Sequence, residues 1–306
     1  MNTSKHGVPL NIRQSLHRWR WQLLGAFFLL LTACSSTTFV YNRLDIILPW
    51  YLDRYVDLDR SQSQVFDTQL ERLLEWHRRE ELPRYVEFLN AIDEDLKAEL
   101  TVPQLQAYAD RAEEAWWRIR DPGLEELLAL GEELSDEQIE DFIAVLAKQQ
   151  KKYERKYLDR DDEEMRDDAA ESLEETLEDY LGRLNDNQLE RLRVAAGELR
   201  RSDHVWLSER SAWAGELARE LERQPGWQER VRVIVRDWEE NLDPDVEALY
   251  DHNTTVVQSA VVDVVNSRTE KQNNRLKKKL AGFREDFELL ASEVTEQEKD
   301  PSKATL

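Results

Sequence analysis

Histidine and carboxylate side chains are the first candidates for chemistry in this sequence. Beyond residue 33 there are three histidines, His77, His204 and His252. His77 has Glu81 four residues on, which places both side chains on one face of a helix. None of the histidines has the spacing of a strong metal motif such as His-Glu-x-x-His. We therefore expect an exposed ion pair at His77 and Glu81, no metal site and no catalytic residue.

An acidic run over residues 159–168 could attract divalent cations. An EF-hand loop starting at Asp159 would need Gly at its sixth position and Glu at its twelfth, where the chain has Glu164 and Ala170. A solvated charged segment is therefore expected. The chain also lacks a Gly-rich phosphate loop and a Gly-x-Ser-x-Gly elbow, so we expect no cofactor and no enzyme. An envelope hydrolase with a carboxylate site is the alternative, because 64 acidic residues form many carboxylate pairs.

The single cysteine, Cys34, follows a segment typical of bacterial export. The first 22 residues contain basic side chains and no acidic one, and residues 23–33 are apolar. This order is that of a secretion signal. The apolar run is far shorter than the roughly 20 residues that cross a bilayer as a helix. Residues 1–33 are therefore predicted to be a signal peptide. The basic residues are Lys5, Arg13, Arg18 and Arg20.

The end of this segment, Leu31-Thr32-Ala33-Cys34, resembles the lipobox of bacterial lipoproteins. The resemblance implies lipid transfer to the Cys34 thiol, cleavage before it and acylation of the new amino group. Several acyl chains give the strength that stable anchoring requires. In Gram-negative lipoproteins the residue after the cysteine directs sorting, and Ser35 in place of Asp implies the outer membrane. The expected partner is therefore a membrane, reached through the N-terminal lipid from the periplasmic side.

Charge excludes one class of partner. The chain carries 42 Lys and Arg against 64 Asp and Glu, a formal net charge of −22. Removal of the basic segment 1–33 would make it more acidic still. Nucleic acid is therefore not expected to bind, since its affinity comes from cationic groups that neutralise phosphates. The acyl chains, rather than charge, would hold the protein at a membrane.

Composition and helix-start motifs predict an all-α protein, an elongated antiparallel bundle of long helices. Glycine is scarce, with 9 in the chain, and residues that favour helices dominate. Leu, a capping residue and then Gln three places later recur, which is a capping box after a hydrophobic residue. We expect capping residues at Asp59, Thr101, Ser135 and Asn185, and at Asp243 before Pro244.

These starts give the domain organisation. We expect a lipidated tether over residues 34–42, a helical domain over 43–295 and a disordered tail over 296–306. The valine-rich run 256–265 fits a buried helix better than a strand, because its apolar positions form a wide helical stripe. Asp121-Pro122-Gly123 is expected to break or kink a helix.

Eight tryptophans lie beyond residue 33, more than a minimal bundle needs. Most are expected to be core or interhelix wedges. Trp116 and Trp117 are adjacent and cannot both face one core from a helix. One of them is therefore the candidate for a partner-binding groove, since tryptophan is enriched at binding hot spots.

Two resemblances bear on function. The segment Tyr41-Asn-Arg-Leu-Asp-Ile-Ile-Leu-Pro-Trp-Tyr-Leu-Asp-Arg-Tyr-Val-Asp-Leu58 is similar to a family of uncharacterised gammaproteobacterial envelope lipoproteins with a domain of unknown function. Leu100-Thr-Val-Pro-Gln104 and Leu134-Ser-Asp-Glu-Gln138 resemble the Leu-Thr-x-x-Gln motifs of Spy-type periplasmic chaperones. The first resemblance implies an envelope lipoprotein and no activity, and the second implies a helical fold. With the anchor, the helices and the surplus of tryptophan, we expect a non-catalytic protein that binds envelope proteins as a chaperone, adaptor or scaffold. A purely structural spacer is a further alternative.

Overall fold

The computed structural model describes residues 37–236 and 242–299, with residues 294–299 described as backbone alone. The predicted signal peptide, with Leu31, Thr32 and Ala33, and the predicted lipidation site Cys34 lie outside these residues. Within them every regular element is a helix, which confirms the predicted all-α class. The valine-rich run is indeed part of a helix, and Val256, Ala260 and Val264 are buried in it.

The elements follow one another as a series of helices with short connections. Their bounds are α1 Thr37–Tyr41, α2 Leu44–Leu52, α3 Arg60–Trp76, a π-helical segment His77–Glu81, α4 Leu82–Asp95, α5 Val102–Glu133, α6 Asp136–Leu158, α7 Asp162–Leu181, α8 Asp186–Glu198, α9 Asp203–Glu220, α10 Trp227–Arg236, α11 Pro244–Asn266 and α12 Glu270–Lys299.

The predicted helix starts are confirmed in atomic detail. Asp59, Thr101, Ser135 and Asn185 each accept a backbone N–H in the first turn, and the Gln three residues later accepts the N–H of the capping residue. Asp243 caps α11. Such caps are encoded within four residues, which is why they can be read from sequence. The acidic run 159–168 also contains a helix start, a capping box of Asp161 and Glu164.

Two helices continue beyond the positions at which a break was expected. Helix α5 continues through Pro122; Leu124 and Leu128 just beyond it are buried and hold that half of the helix in place. Helix α12 runs to Lys299, into the predicted disordered tail, because helix-favouring residues continue until Pro301 approaches. Residues 300–306 lie outside the described part.

The described part of the predicted tether is not an extended linker. Residues 37–41 form α1, and α1 packs on α12. The Thr38 hydroxyl donates to the Asp286 carboxylate at 3.0 Å. Thr37 is buried. Residues 37–41 are therefore part of the folded body.

Two hydrophobic clusters form the core. The larger one joins α4, α7, α8, α11 and α12 to the first half of α5, with Leu82, Leu192 and Phe283 among its most buried side chains. The smaller one joins the second half of α5 to α9 and α10 around Trp227. Because α5 has 32 residues and is about 48 Å long at 1.5 Å per residue, it spans both clusters and makes the bundle elongated.

The capping boxes also pair with one another, which the sequence did not predict. The amide of Gln62 donates to Gln138 Oε1 at 3.1 Å, and the amide of Gln138 donates back to Gln62 Oε1 at 2.8 Å. Gln188 and Gln272 make the same reciprocal pair at 3.2 and 2.9 Å. The α3 and α6 N-termini are thus joined side by side, as are those of α8 and α12.

Candidate functional site

Exposed apolar side chains are concentrated at the N-terminal end of the fold, on α1 and α2. We call this surface the apolar stripe. Monomeric proteins seldom expose such contiguous apolar residues without a function for them. Its members are between 38% and 64% exposed, and they are Phe39, Ile46, Ile47, Trp50 and Tyr51.

The stripe arises because α2 is apolar on both faces. Leu44, Leu48 and Leu52 recur every four residues and are half-buried, on the side of α2 that packs on α3. The opposite side carries the stripe residues, and no residue of α2 is fully buried. A helix of a water-soluble body normally has a polar face on that side.

Two arginines border the stripe and stack on its aromatic rings. The Arg43 guanidinium lies 5.6 Å from the centre of the Phe39 ring. The Arg54 guanidinium lies 3.8 Å from the centre of the Trp50 ring. Such cation–π contacts hold a guanidinium at the edge of an apolar surface. The edge of the stripe thus carries two arginines, and with Asp45 and Asp53 the segment 37–54 has no net charge on a protein that is otherwise strongly acidic.

A polar group that is half-buried at Tyr41 and His77 and buried at Tyr85 and Glu81 fastens α1 to the body. We call His77, Tyr41, Tyr85 and Glu81 the His77 centre. The Tyr41 hydroxyl is 2.7 Å from His77 Nδ1, and the Tyr85 hydroxyl is 3.3 Å from Nε2. A neutral imidazole donates through one nitrogen and accepts through the other, so both tyrosines can be bonded at once. Tyr41 is the last residue of α1, which links the stripe to this centre.

The π-helical segment creates the His77 centre. The Leu82 N–H bonds the His77 carbonyl, five residues back, in the step before Pro83. Pro83 has no N–H with which to continue an α-helical ladder. The wider turn rotates Glu81 into the interior, where it is fully buried. The expectation of an exposed ion pair between His77 and Glu81 is therefore wrong.

Glu81 is paired with arginines instead of with His77. Arg84 Nη1 donates to Glu81 Oε1 at 2.7 Å. Arg118 makes a two-pronged contact, with Nε at 2.8 Å from Oε1 and Nη2 at 2.9 Å from Oε2. The hydrogen bond to Glu81 raises the pKa of Arg118. Both carboxylate oxygens of Glu81 are thus engaged within the fold.

Burial sets the ionisation of the His77 centre. Desolvation lowers the pKa of His77 to about 4, with Glu81 opposing and Arg78 adding to this effect. Desolvation likewise raises the pKa of Tyr41 to about 12 and that of Tyr85 further. All three side chains are therefore neutral at neutral pH. The centre acts as a hydrogen-bonded joint between α1, the π-helical segment and α4.

The two tryptophans singled out from the sequence lie on α5. Trp116 and Trp117 are both half-buried. An open groove of ≈540 Å³ lies between the end of α4 and the α11–α12 turn, and neither tryptophan lines it. Its walls are polar, with Lys97, Glu99, Arg268 and Glu270 among the lining residues. That Trp116 or Trp117 binds a partner stays a prediction.

Most of the other tryptophans have the structural role expected of them. Trp227 is buried in the smaller cluster, and Trp213 packs against it. Gly131 on α5 makes room for Trp227, since a Cβ there would lie 3.1 Å from the indole ring. Among the tryptophans within the described residues, Trp50 is the exposed one, at 57%.

Two features of the described residues bear on membrane and metal chemistry. No helix within residues 37–236 and 242–299 combines the length and the apolar character needed to cross a membrane. Over the same residues there is no group of three or more His, Cys, Asp or Glu side chains that could hold a metal ion.

An exposed apolar surface on α1 and α2 was not predicted from the sequence. The signal was present, since Ile46 and Ile47 alternate with leucines around the whole helix. The burial of Glu81 had no comparable signal, because it depends on a π turn and on Arg118, 37 residues away.

Comparison with known proteins gives a family and no activity. No curated protein matches the chain, and no solved structure matches it. A family model described as a family of unknown function, DUF6279, matches residues 54–247, more than half of the chain. The chain belongs to this family of unknown function.

Proposed function

We propose that this protein is an envelope lipoprotein, anchored through lipid on Cys34 at the periplasmic face of the outer membrane, whose helical body binds envelope proteins without catalysis. One observation carries the proposal: helix α1, which packs on the body, starts at Thr37, three positions after Cys34. Three extended residues span about 10 Å. A lipid on Cys34 would therefore keep α1 within about this distance of the membrane.

The chemistry of the body supports a role through contacts. His77 uses both ring nitrogens, and Glu81 both carboxylate oxygens, for bonds inside the fold. These buried groups serve to position α1 and α4. The surface, by contrast, offers apolar and aromatic side chains, the types that dominate protein-binding hot spots.

The anchor is tested by labelling the full chain with a palmitate analogue in a Gram-negative host. We expect label on the wild-type protein and its recovery with membranes, and loss of both in a Cys34→Ser variant. A Ser35→Ala variant is the matched control, since it changes the neighbouring residue and keeps the thiol. Wild-type protein without label, or a Cys34→Ser variant with it, would overturn the anchor.

The binding role is tested separately, with an unfolded envelope protein as client. The wild-type chain should suppress the aggregation of the client, and Trp116→Ala or Trp117→Ala should weaken suppression while the melting temperature of the variant stays near that of the wild type. A wild-type chain that neither suppresses aggregation nor crosslinks to envelope proteins in its membrane would refute this role and leave the anchor standing.

A further inference from the structure

We infer that the apolar stripe lies in the headgroup region of the bilayer, so that the protein touches the membrane with its own helices α1 and α2. This inference deepens the proposed function and rests on the anchor for its geometry. It adds a second, protein-made contact to the one made by the lipid.

The first argument is the arrangement of the stripe. Ile46 and Trp50 lie four residues apart on α2, with Ile47 and Tyr51 beside them, so these four side chains share one side of that helix, while Phe39 is the exposed apolar residue of α1. All are exposed, whereas the leucines of the opposite side already pack on the body. A helix that lies in a membrane interface presents such an apolar side to the acyl chains.

The second argument is the distance to the proposed anchor. Cys34 and Thr37 are three positions apart in the chain, a separation that reaches about 10 Å at most. Phe39 lies in the first turns after this point. An interfacial helix buries its apolar face about 5–10 Å into the headgroup and acyl boundary. A lipid on Cys34 would therefore hold α1 at the depth at which the stripe can enter the bilayer.

The third argument is charge. Over residues 37–54 Arg43 and Arg54 balance Asp45 and Asp53, while the whole chain carries a net charge of −22. Most of the surface would be repelled by anionic lipid headgroups, and this neutral segment would not. Arginine side chains at the edge of an apolar surface can reach lipid phosphates while their stems stay in the apolar layer. Trp50 and Tyr51 are of the types enriched at membrane interfaces.

The fourth argument is rigidity. Helix α1 is held by the Tyr41 to His77 bond at 2.7 Å and by the Thr38 to Asp286 bond at 3.0 Å. Arg78 donates to the Asn42 side chain at 2.7 Å, where α1 meets α2. The stripe is therefore fixed relative to the body. A membrane that binds the stripe would orient the whole bundle, which a single flexible lipid tether would not do.

The test uses the full chain in its native membranes, with a photoreactive benzophenone side chain at residue 46. Residue 127 is the matched control, because Leu127 is 51% exposed and Ile46 is 55% exposed, yet Leu127 lies on α5 outside the stripe. After illumination, adducts are identified by mass. We expect lipid adducts at residue 46 and at most a background level at residue 127. Lipidation of Cys34 is scored in the same samples.

The possible results separate the inference from the anchor. Lipid adducts at residue 46 in protein without lipid on Cys34 would support the stripe and refute the anchor. Lipidated protein with no lipid adduct at residue 46 would refute the stripe and keep the anchor. Adducts at residue 46 to a second copy of the chain, or to another envelope protein, would show that a protein covers the stripe, and would equally overturn the inference.

Discussion

At the scale of single residues, the His77 centre is the least expected part of the molecule. The sequence places His77 and Glu81 four residues apart, a spacing that predicts an ion pair on an α-helical face. The π-helical segment changes that geometry, so that each side chain finds different partners. Tyr41 reaches His77 across 36 residues, and Arg118 reaches Glu81 across 37. Neither partner could be read from the local pattern.

The buried histidine predicts a pH dependence of stability. The pKa of His77 is about 4 in the folded protein, against 6.5 for an ordinary histidine. The unfolded chain therefore binds the proton more tightly, and the contribution of His77 to stability is complete above the unfolded pKa and is lost as pH falls toward the folded pKa. Between pH 7 and pH 5 we expect the loss from this residue to be about 2 kcal/mol.

Urea denaturation at these two pH values measures the effect. Between pH 7 and pH 5 the free energy of unfolding should fall less in a His77→Gln variant than in the wild type, because glutamine does not titrate. The two falls should differ by about 2 kcal/mol. His204→Gln, at an exposed position, is the control for losing a histidine. An equal pH dependence of the free energy of unfolding in the wild type and in His77→Gln would contradict the lowered pKa of His77.

At the scale of elements, helix starts were predictable and their pairing was not. A capping box is complete within four residues, so Asp59, Thr101, Ser135 and Asn185 could be identified one by one. A further box, in which Thr269 accepts from Gln272 and Gln272 accepts from Thr269, precedes α12. It escaped notice because Arg268, rather than leucine, stands before it.

The reciprocal glutamine pairs join boxes 76 and 84 residues apart in sequence. Each amide donates both to the opposite glutamine and to a backbone carbonyl near the opposite helix end. Gln272 thus donates to the Arg183 carbonyl, and Gln138 to the Asp57 carbonyl. The same side chain therefore caps its own helix and fixes its neighbour. This double use explains why Gln62, Gln188 and Gln272 are buried despite being polar.

A double-mutant cycle tests the pair at the centre of the larger cluster. Gln188→Ala and Gln272→Ala should each lower the free energy of unfolding by about 1–3 kcal/mol, since each leaves the other glutamine buried without its partner. The loss of unfolding free energy in the double variant should be about 1 kcal/mol smaller than the sum of the losses in the two single variants.

Gln104→Ala provides the control for this cycle. Gln104 serves the cap of α5, and Asn266 rather than a second glutamine faces that helix start through its bonds with Leu100. Gln104→Ala should therefore lower the free energy of unfolding by less than Gln188→Ala or Gln272→Ala does. Strict additivity at Gln188 and Gln272 would show that their amides do not act together.

At the scale of the whole molecule, α5 connects two hydrophobic clusters of unequal size. The smaller cluster, which α5 shares with α9 and α10, buries fewer side chains than the larger one. Local opening is easiest where apolar contacts are fewest. We therefore expect α9 and α10 to open at a lower free energy than α11 and α12.

Hydrogen exchange of backbone amides measures this difference. Leu128→Ala, in the smaller cluster, should lower the opening free energy of α9 and α10 by about 2–5 kcal/mol and leave the exchange of α12 nearly unchanged. Leu280→Ala, at a similarly buried site in the larger cluster, should speed exchange throughout the chain. Equal acceleration of both regions by Leu128→Ala would mean that the molecule opens as one unit.

The contact between α1 and α12 also determines when the fold can be completed. The hydrogen bond from Thr38 to Asp286 joins residues 248 positions apart, and a ribosome makes the chain from its N-terminus onward. Helix α1 is thus synthesised first but must wait for nearly the entire polypeptide before it can dock. Closure of so large a loop is slow. The apolar N-terminal helices therefore stay undocked until almost all of the chain has been made.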